Sequence, residues 1–531
     1  MYIVHTYKKN WHTRTPFTIE EIRKAIKKLK NGKAQGLDYI SNEHIKASEG
    51  NMIGIFCKLF NLVLKTGVIP SAWTVGVIQG LYKNKGDKQD PGNYRGITIL
   101  SCLGKLFTAV INNRLGEFAE SIDLINKEKA GFRPGYFTID HMFALNCLLD
   151  IYLSKGMKIY CGFIDYAKAF DKVWRAGLWE KVLSSDIKGR IIRVIMNLYE
   201  NAKSCVKGPT GLTENFDCNI GVRQGENLSP FLFAIYLNDL SSFFEENGAE
   251  GMRHLHHYST CEFVRNLGYR IKLYVLLYAD GTILLADTAN DLQQGLNLLG
   301  KYIDEWKLSV NGSKTKVVIF ARGKGRKAKH VFVYKGTVLE IVDDYTYLGV
   351  IFSYNGSYLK ARKRRFDQAS RAMFGLLRHC KKLDLPIDVS LELFDRTILP
   401  ILLYGCEIWG FEDISVLERV HLRFCKYILN VSKYTPSCMI YHELGRHPIS
   451  VSIIERMVNY WAKLESPKSK DKWCSLLYNI VKDQYDRGYL TSKWCAFDKS
   501  SLNNCGIGYL WVERNPVNPS WLKCKINHRS I

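Results

Sequence analysis

Apolar residues at Phe17, Ile22, Ile26 and Leu29 recur at helical spacing, and Thr18 with Glu21 three residues later supplies a capping box, so a helix is predicted over residues 18–30. A polar turn at 31–36 leads to a helical stretch over 51–65 and a strand at Val75–Tyr82. Short strands and helices then alternate to about residue 320, the grammar of an α+β fold rather than of a repeat array. Residues 276–279 read as one strand and 282–286 as its return. Asp280-Gly281 between those apolar runs is a sharp hairpin signal, and glycine suits a positive φ at a turn. Two strand-like pieces, 331–338 and 345–352, precede a helical region over 358–429. Past residue 431 the pattern mixes helices and turns.

Composition narrows the partner. The 531 residues carry 75 Lys and Arg against 51 Asp and Glu, a net charge of +24, which points to a polyanion and first to nucleic acid. No run of about 20 apolar residues or long basic amphipathic helix supports a membrane partner. Lys8, Lys9, His12 and Arg14 interrupt any signal-peptide core, so the expected location is intracellular. The 15 cysteines lack paired C-x-x-C spacing and suit reduced, buried thiols. Neither His254, His256, His257 and Cys261 nor Cys474, Cys495, Cys505 and Cys524 has the spacing of a closed zinc module. Two basic runs stand out: Arg322 to Lys329 as a surface break, and Lys360, Arg362, Lys363, Arg364 and Arg365 as a helix face able to track phosphates.

Three segments carry candidate chemistry. Residues 161–171, Cys-Gly-Phe-Ile-Asp-Tyr-Ala-Lys-Ala-Phe-Asp, read as a buried strand ending on Asp165. Asp280 in the hairpin is a second carboxylate far off in sequence, and phosphoryl transfer by two metals needs carboxylates converging from separate strands. Between them lies Gly221-Val222-Arg223-Gln224-Gly225-Glu226-Asn227-Leu228-Ser229-Pro230, whose glycines allow close backbone approach and whose Ser229-Pro230 is expected to cap and open an apolar helix over 231–240.

The order of these segments resembles reverse transcriptases of the non-LTR (LINE-like) retrotransposon class over residues 15–450. Further matches are Asn93-Tyr94-Arg95-Gly96-Ile97, Ala130-Gly131-Phe132-Arg133-Pro134-Gly135 with Thr138 and Asp140-His141, Leu308-Ser309-Val310-Asn311 with Lys314-Thr315-Lys316, Tyr347-Leu348-Gly349, and 399–410. The resemblance implies a right-hand polymerase: fingers, a palm with an antiparallel sheet, a helical thumb, and a mostly helical C-terminal region. The expected division is an arm at 1–15, fingers with an N-terminal extension at 16–150, palm with finger-side insertions at 151–355, thumb at 356–430 and a C-terminal region at 431–531. It implies two Mg²⁺ or Mn²⁺ ions on Asp165 and Asp280, assisted by the Tyr166 carbonyl. Phe170 would reject a ribose 2′-hydroxyl, Arg95 and Lys83 would contact the triphosphate, Gln224 and Gly225 would line the nucleotide and template grip, and Lys314 would protonate pyrophosphate. Implied partners are an RNA template, a DNA primer and deoxynucleoside triphosphates, acting in the nucleus.

The chain departs from that pattern at several positions. Gly281 stands where a second aspartate is usual, Glu226-Asn227 for Asp-Pro, Gly96 for proline, and Tyr136-Phe137 for Arg-Ser. Loss of the second carboxylate is expected to weaken metal binding and slow the reaction about 100-fold or more. Asp287 is not expected to replace it, because it lies past the far end of the return strand. The family's usual N-terminal endonuclease and a C-terminal zinc knuckle are not evident, which reads as a fragment or a separately encoded polymerase unit. The leading reading is RNA-directed DNA polymerase. Its alternatives are a catalytically dead, nucleic-acid-binding remnant of the same fold, and a purely structural interaction protein.

Overall fold

A computed structural model of the chain describes residues 15–84, 86–252, 256–257, 269–270, 273–278, 281–323, 330–513 and 518–529. Most of the arm, His254 and Cys261 of the histidine-rich cluster, and most of the basic run at 322–329 fall outside them.

The first helix, Ile19–Lys27, opens with the expected capping box: Thr18 Oγ1 accepts from Glu21 N–H, and Glu21 Oε2 accepts from Thr18 N–H. Arg114, buried on the helix Cys102–Ser121, forks onto both Glu21 oxygens (2.8 and 2.6 Å) and onto the carbonyls of Thr15 and Pro16. Beside these helices stands a five-stranded sheet in which Val75–Tyr82 pairs antiparallel with Tyr94–Ile99 and parallel with Lys203–Gly208.

The second sheet positions the candidate site. Its order is Phe332–Tyr334, Thr337–Ile341, Lys316–Phe320, Ile159–Asp165, Gly281–Ala286 and Val275–Tyr278. Every pairing except that of Lys316–Phe320 with Thr337–Ile341 is antiparallel. Because side chains alternate across a strand, Ile159, Cys161 and Phe163 enter one core while Tyr160 and Ile164 enter another. Both faces are covered, which explains continuous apolar runs in place of hydrophobic-polar alternation.

On the Phe163 face the sheet meets the helix Thr138–Ser154 and the hairpin Asp344–Tyr347/Val350–Ser353, whose Tyr345 ring stacks on Phe163 at 4.1 Å. The two expected strand-like pieces are thus two tight hairpins, turning at Lys335-Gly336 and Leu348-Gly349, where all four residues have positive φ. The segment after the long helix Leu359–Lys382 buttresses the second hairpin: Tyr404 OH donates to the Leu348 carbonyl, and Gly405 (φ +77°) lies where a Cβ would come within 2.7 Å of Val350.

The helices Ile449–Glu465, Trp473–Asp486 and Lys493–Asn504 join that same core, with Trp461, Trp473 and Trp494 buried in it. Lys463 Nζ (2.6 Å) and Tyr460 OH (3.2 Å) donate to Asp140 Oδ1, while Ser492 Oγ donates to Asp150 Oδ2 (2.6 Å). This region therefore completes the interior around Thr138–Ser154. A chain ended at residue 430 is expected to expose that apolar helix and elute from size-exclusion chromatography as aggregate; a monodisperse, cooperatively unfolding fragment would contradict this packing.

Candidate active site

Asp165 ends the central strand, and the segment entering Lys316–Phe320 clasps its backbone. Asn311 N–H donates to the Asp165 carbonyl (2.7 Å), Ala167 N–H to the Ser309 carbonyl (2.8 Å), and Asp165 N–H to Thr315 Oγ1 (3.2 Å). Thr315 is fully buried, so this hydroxyl is a fixed anchor. On the same segment Lys314 Nζ lies 3.5 Å from Asp165 Oδ2, an exposed ammonium beside a carboxylate one third exposed. Such a pair adds little to stability but sets the local charge. Tyr166 turns into the core, with Thr282 Oγ1 3.5 Å from its hydroxyl.

The hairpin differs from its sequence expectation by one residue. The strand ends at Tyr278 and the return begins at Gly281, which pairs with Tyr278 on one side and with Asp165 on the other. Gly281 is extended backbone and is not among the glycines of positive φ; the connecting residues Ala279 and Asp280 lie outside the described residues. Pairing with Asp165 draws Gly281 into the strand, whereas the Asp-Gly turn signal is purely local. A Cβ at 281 would share a face with Asp165, at about 4.5–5.5 Å from its Cβ. It would also meet the Tyr278 carbonyl oxygen at 3.2 Å and Tyr347 Cε2 at 4.0 Å.

The glycine-rich segment wraps the residues after Asp165. Val222 N–H donates to the Phe170 carbonyl (2.8 Å), Gly221 N–H to the Val173 carbonyl (2.9 Å), and Gln224 Nε2 to Asp171 Oδ1 (3.0 Å). Phe170 is half-buried, stacked on Phe233 at 4.9 Å with Phe132 edge-on at 6.4 Å. Gln224 and Gly225 abut the five-stranded sheet: Thr98 N–H donates to the Gln224 carbonyl, and a Cβ on Gly225 (φ +107°) would fall 2.8 Å from the Thr98 carbonyl oxygen. Arg95 is exposed, across from Leu81, and Lys83 Nζ donates to the Gly92 carbonyl (2.8 Å), closing its own loop.

Three expectations need correction. Ser229 does not cap the following helix but lies inside it as the first residue of Ser229–Tyr236, donating through Oγ to the Arg223 carbonyl (2.7 Å). The apolar stretch then breaks, and a second helix starts at Leu240. The basic run on Leu359–Lys382 is not a uniform phosphate-facing strip: Arg362 pairs with Glu412 (2.6 Å), Lys360 with Asp344, and Arg365 bonds the Gly349 carbonyl and lies over the Tyr404 ring (4.7 Å).

Sequence reasoning missed Asp171, Thr315 and His141 as organisers of the site. Asp171 and Thr315 sit within quoted motifs, but their partners are distant in sequence. His141 is edge-on to Tyr278 (6.0 Å), 3.5 Å from Tyr347 OH, and burial holds its imidazole down at about 3. Glu226 is buried, accepts from Tyr199 OH (2.9 Å), and burial pushes its carboxyl up. Tyr136 and Phe137 stand where a fingers cation is usual, and each lies under a lysine from the C-terminal helices, Lys472 at 4.4 Å and Lys463 at 4.2 Å.

The family sequence pattern described as reverse transcriptase (RNA-dependent DNA polymerase) matches residues 83–352, half of the chain. The chain belongs to that family. A probable RNA-directed DNA polymerase from transposon BS of Drosophila melanogaster is 26% identical over 85% of this chain and 48% of its own length. The RNA-directed DNA polymerase from the mobile element jockey of Drosophila funebris is 25% identical over 78% of this chain and 44% of its own length. The chain thus spans about half the length of these relatives. Among solved structures, telomerase from Candida tropicalis with a fragment of telomeric RNA covers 83% of this chain and 68% of its own, at 13% identity and a TM-score of 0.38. That likeness is too weak to carry an argument. Both relatives are named as RNA-directed DNA polymerases of mobile elements, and the six-stranded sheet of this chain lies largely within the matched residues.

Two outcomes test the site's geometry. Gly281→Asp places like charges opposite each other, so in EDTA its stability should fall by roughly 1 kcal/mol relative to Gly281→Asn and recover with Mg²⁺; equal melting temperatures with and without metal would contradict the register. His141 is neutral in the fold, whereas its unfolded pKa is about 6.5. The unfolded state therefore binds the extra proton as pH falls from 6.5 toward 3, and stability is lost across that window by about 1.4 kcal/mol per pH unit. Denaturant melts should show a shallower acid slope for His141→Gln, and an identical slope would refute the burial.

Proposed function

We propose that this chain is an RNA-directed DNA polymerase unit acting by two-metal phosphoryl transfer. The observation that carries the reading is Asp165 at the end of the central palm strand, paired with the residue that follows Asp280, with Lys314 at 3.5 Å. Consecutive Cα atoms are about 3.8 Å apart and cross-strand partners about 4.5–5.5 Å. Asp280, one residue before Gly281, would on this reading share that strand end with Asp165.

Asp165 and Asp280 would hold Mg²⁺ or Mn²⁺, with the Tyr166 carbonyl as a further hard oxygen donor. The ions would supply charge stabilisation to the attacking and leaving oxygens. Lys314 would neutralise and protonate the departing pyrophosphate. Phe170, held by Phe233, would stand at the nucleotide's sugar; Gln224, tethered to Asp171, and Gly225 would floor the nucleotide and template grip. Arg95, and Lys83 once freed from Gly92, would meet the triphosphate. RNA template, DNA primer and deoxynucleoside triphosphates are the proposed partners, and the nucleus the proposed place of action. No described helix is long and apolar enough to cross a membrane.

Gly281 favours a slow enzyme, and it also motivates a second reading: a nucleic-acid-binding remnant without catalysis. Primer extension on primed RNA with Mn²⁺ separates the two. We expect slow extension by the wild type, about 100-fold faster extension by Gly281→Asp, and none by Asp165→Asn. Failure of folded Gly281→Asp to extend at all would overturn the catalytic reading.

A further inference from the structure

The helices Leu359–Lys382 and Ser415–Ile428 run parallel. Near their starts Arg362 pairs with Glu412, and further along both the Arg423 guanidinium lies 5.9 Å from the Phe374 ring. The pair therefore ends together: from Arg364, which donates to Thr346 Oγ1 at 2.9 Å, to Lys382 the axis extends about 27 Å at 1.5 Å per residue.

That end has an unusual surface. Leu383 and Tyr427 are 62% and 50% exposed at the two helix ends, Tyr434 is 81% exposed in the connection that follows, and Met439 is 62% exposed in the next helix, Ser437–Leu444. Lys433 Nζ sits 4.9 Å from the Tyr434 ring centre, and Lys426 Nζ fastens this loop through the Lys433 carbonyl (2.7 Å). Arg378, Lys381 and Lys382 add exposed cations against the acids Asp384 and Asp388. Helix dipoles account for basic residues in a last turn. They do not account for two exposed tyrosine rings on the neighbouring helix end and its connection, one of them under Lys433, which is the composition of a stacking platform for bases with a cationic track for phosphates. Duplex ends aside, only an unpaired strand offers base faces to such rings.

We propose that this end of the helix pair binds an unpaired nucleic-acid strand, with bases stacked on Tyr434 and Tyr427 and phosphates held by Lys381, Lys382 and Lys433. The site shares no residue with the carboxylate centre and needs no catalysis.

The test uses the full chain with labelled unpaired RNA and DNA oligonucleotides of about 15 nucleotides and a blunt duplex of the same length. Tyr427→Ala/Tyr434→Ala should weaken binding of an unpaired strand by about fivefold or more while changing blunt-duplex affinity by less than about twofold. Lys381→Ala/Lys382→Ala should reduce the salt slope for the unpaired strand by about 1.4, at roughly 0.7 per phosphate contact. The RNA and DNA arms distinguish the sugar, and loss in either supports the site. Unchanged affinity in both arms, an equal loss for blunt duplex, or a dimer of this chain broken by the tyrosine substitutions would overturn it. Because these variants alter exposed positions, circular dichroism should match the wild type. Strand binding lost with the tyrosine substitutions, together with a folded Gly281→Asp variant that fails to extend primers, upholds this site and refutes only the polymerase reading.

Discussion

The antiparallel register that sets Gly281 against Asp165 is the constraint on which the rest of the site depends. A slip of one residue would send every side chain of the return strand to the opposite face, exchanging Ile283 and Leu285 with Leu284 and Ala286 between two filled cores. Burial on both sides therefore locks the register far more firmly than a turn does. The clasp of Asp165 by Asn311 and Thr315 extends the lock to the other edge, so the carboxylate emerges where three strand ends meet.

Charge in this protein is spent partly on architecture. Arg114, Arg133, Arg223 and Lys181 are buried donors to carbonyls or carboxylates, and Arg133 forks onto Glu120 while bonding three carbonyls of residues 125–129. Lys129, wholly buried, donates to the carbonyls of Phe233 and Ala234 and thereby ties the loop before Thr138–Ser154 to the helix that supports Phe170. Net charge alone thus overstates the cationic surface available to a polyanion. The C-terminal region belongs to this architecture too, because Lys463 and Lys472 lie over Phe137 and Tyr136 and join Arg133, whose guanidinium lies 4.4 Å from the Tyr136 ring.

Local signals read well from the chain. The Thr18-Glu21 capping box, the strand Val75–Tyr82 and the order of the motif segments follow from residue type and spacing, and the matched family and relatives agree with that order. Three-dimensional partners did not. The Asp280-Gly281 pair carries the strongest local turn signal, yet strand pairing moved Gly281 out of the turn. Ser229 has the residue type of a cap, but a carbonyl six residues back offers its hydroxyl a better-placed acceptor. The contact between Lys463 and Asp140 joins residues 323 apart, which no periodicity encodes. The basic helix misled for the same reason: charge counts do not show that Arg362 and Arg365 face the interior.

The central claim is that Asp165 and the hairpin at 280–281 form one divalent-metal site. Backbone cleavage by hydroxyl radicals from Fe²⁺ substituted for Mg²⁺ tests it most directly, since cuts occur only near the bound ion. The account predicts paired cuts beside Asp165 and beside 280–281, both suppressed by excess Mg²⁺ and both lost in Asp165→Asn. Cuts at one of these positions without the other, or cuts that persist in Asp165→Asn, would contradict it.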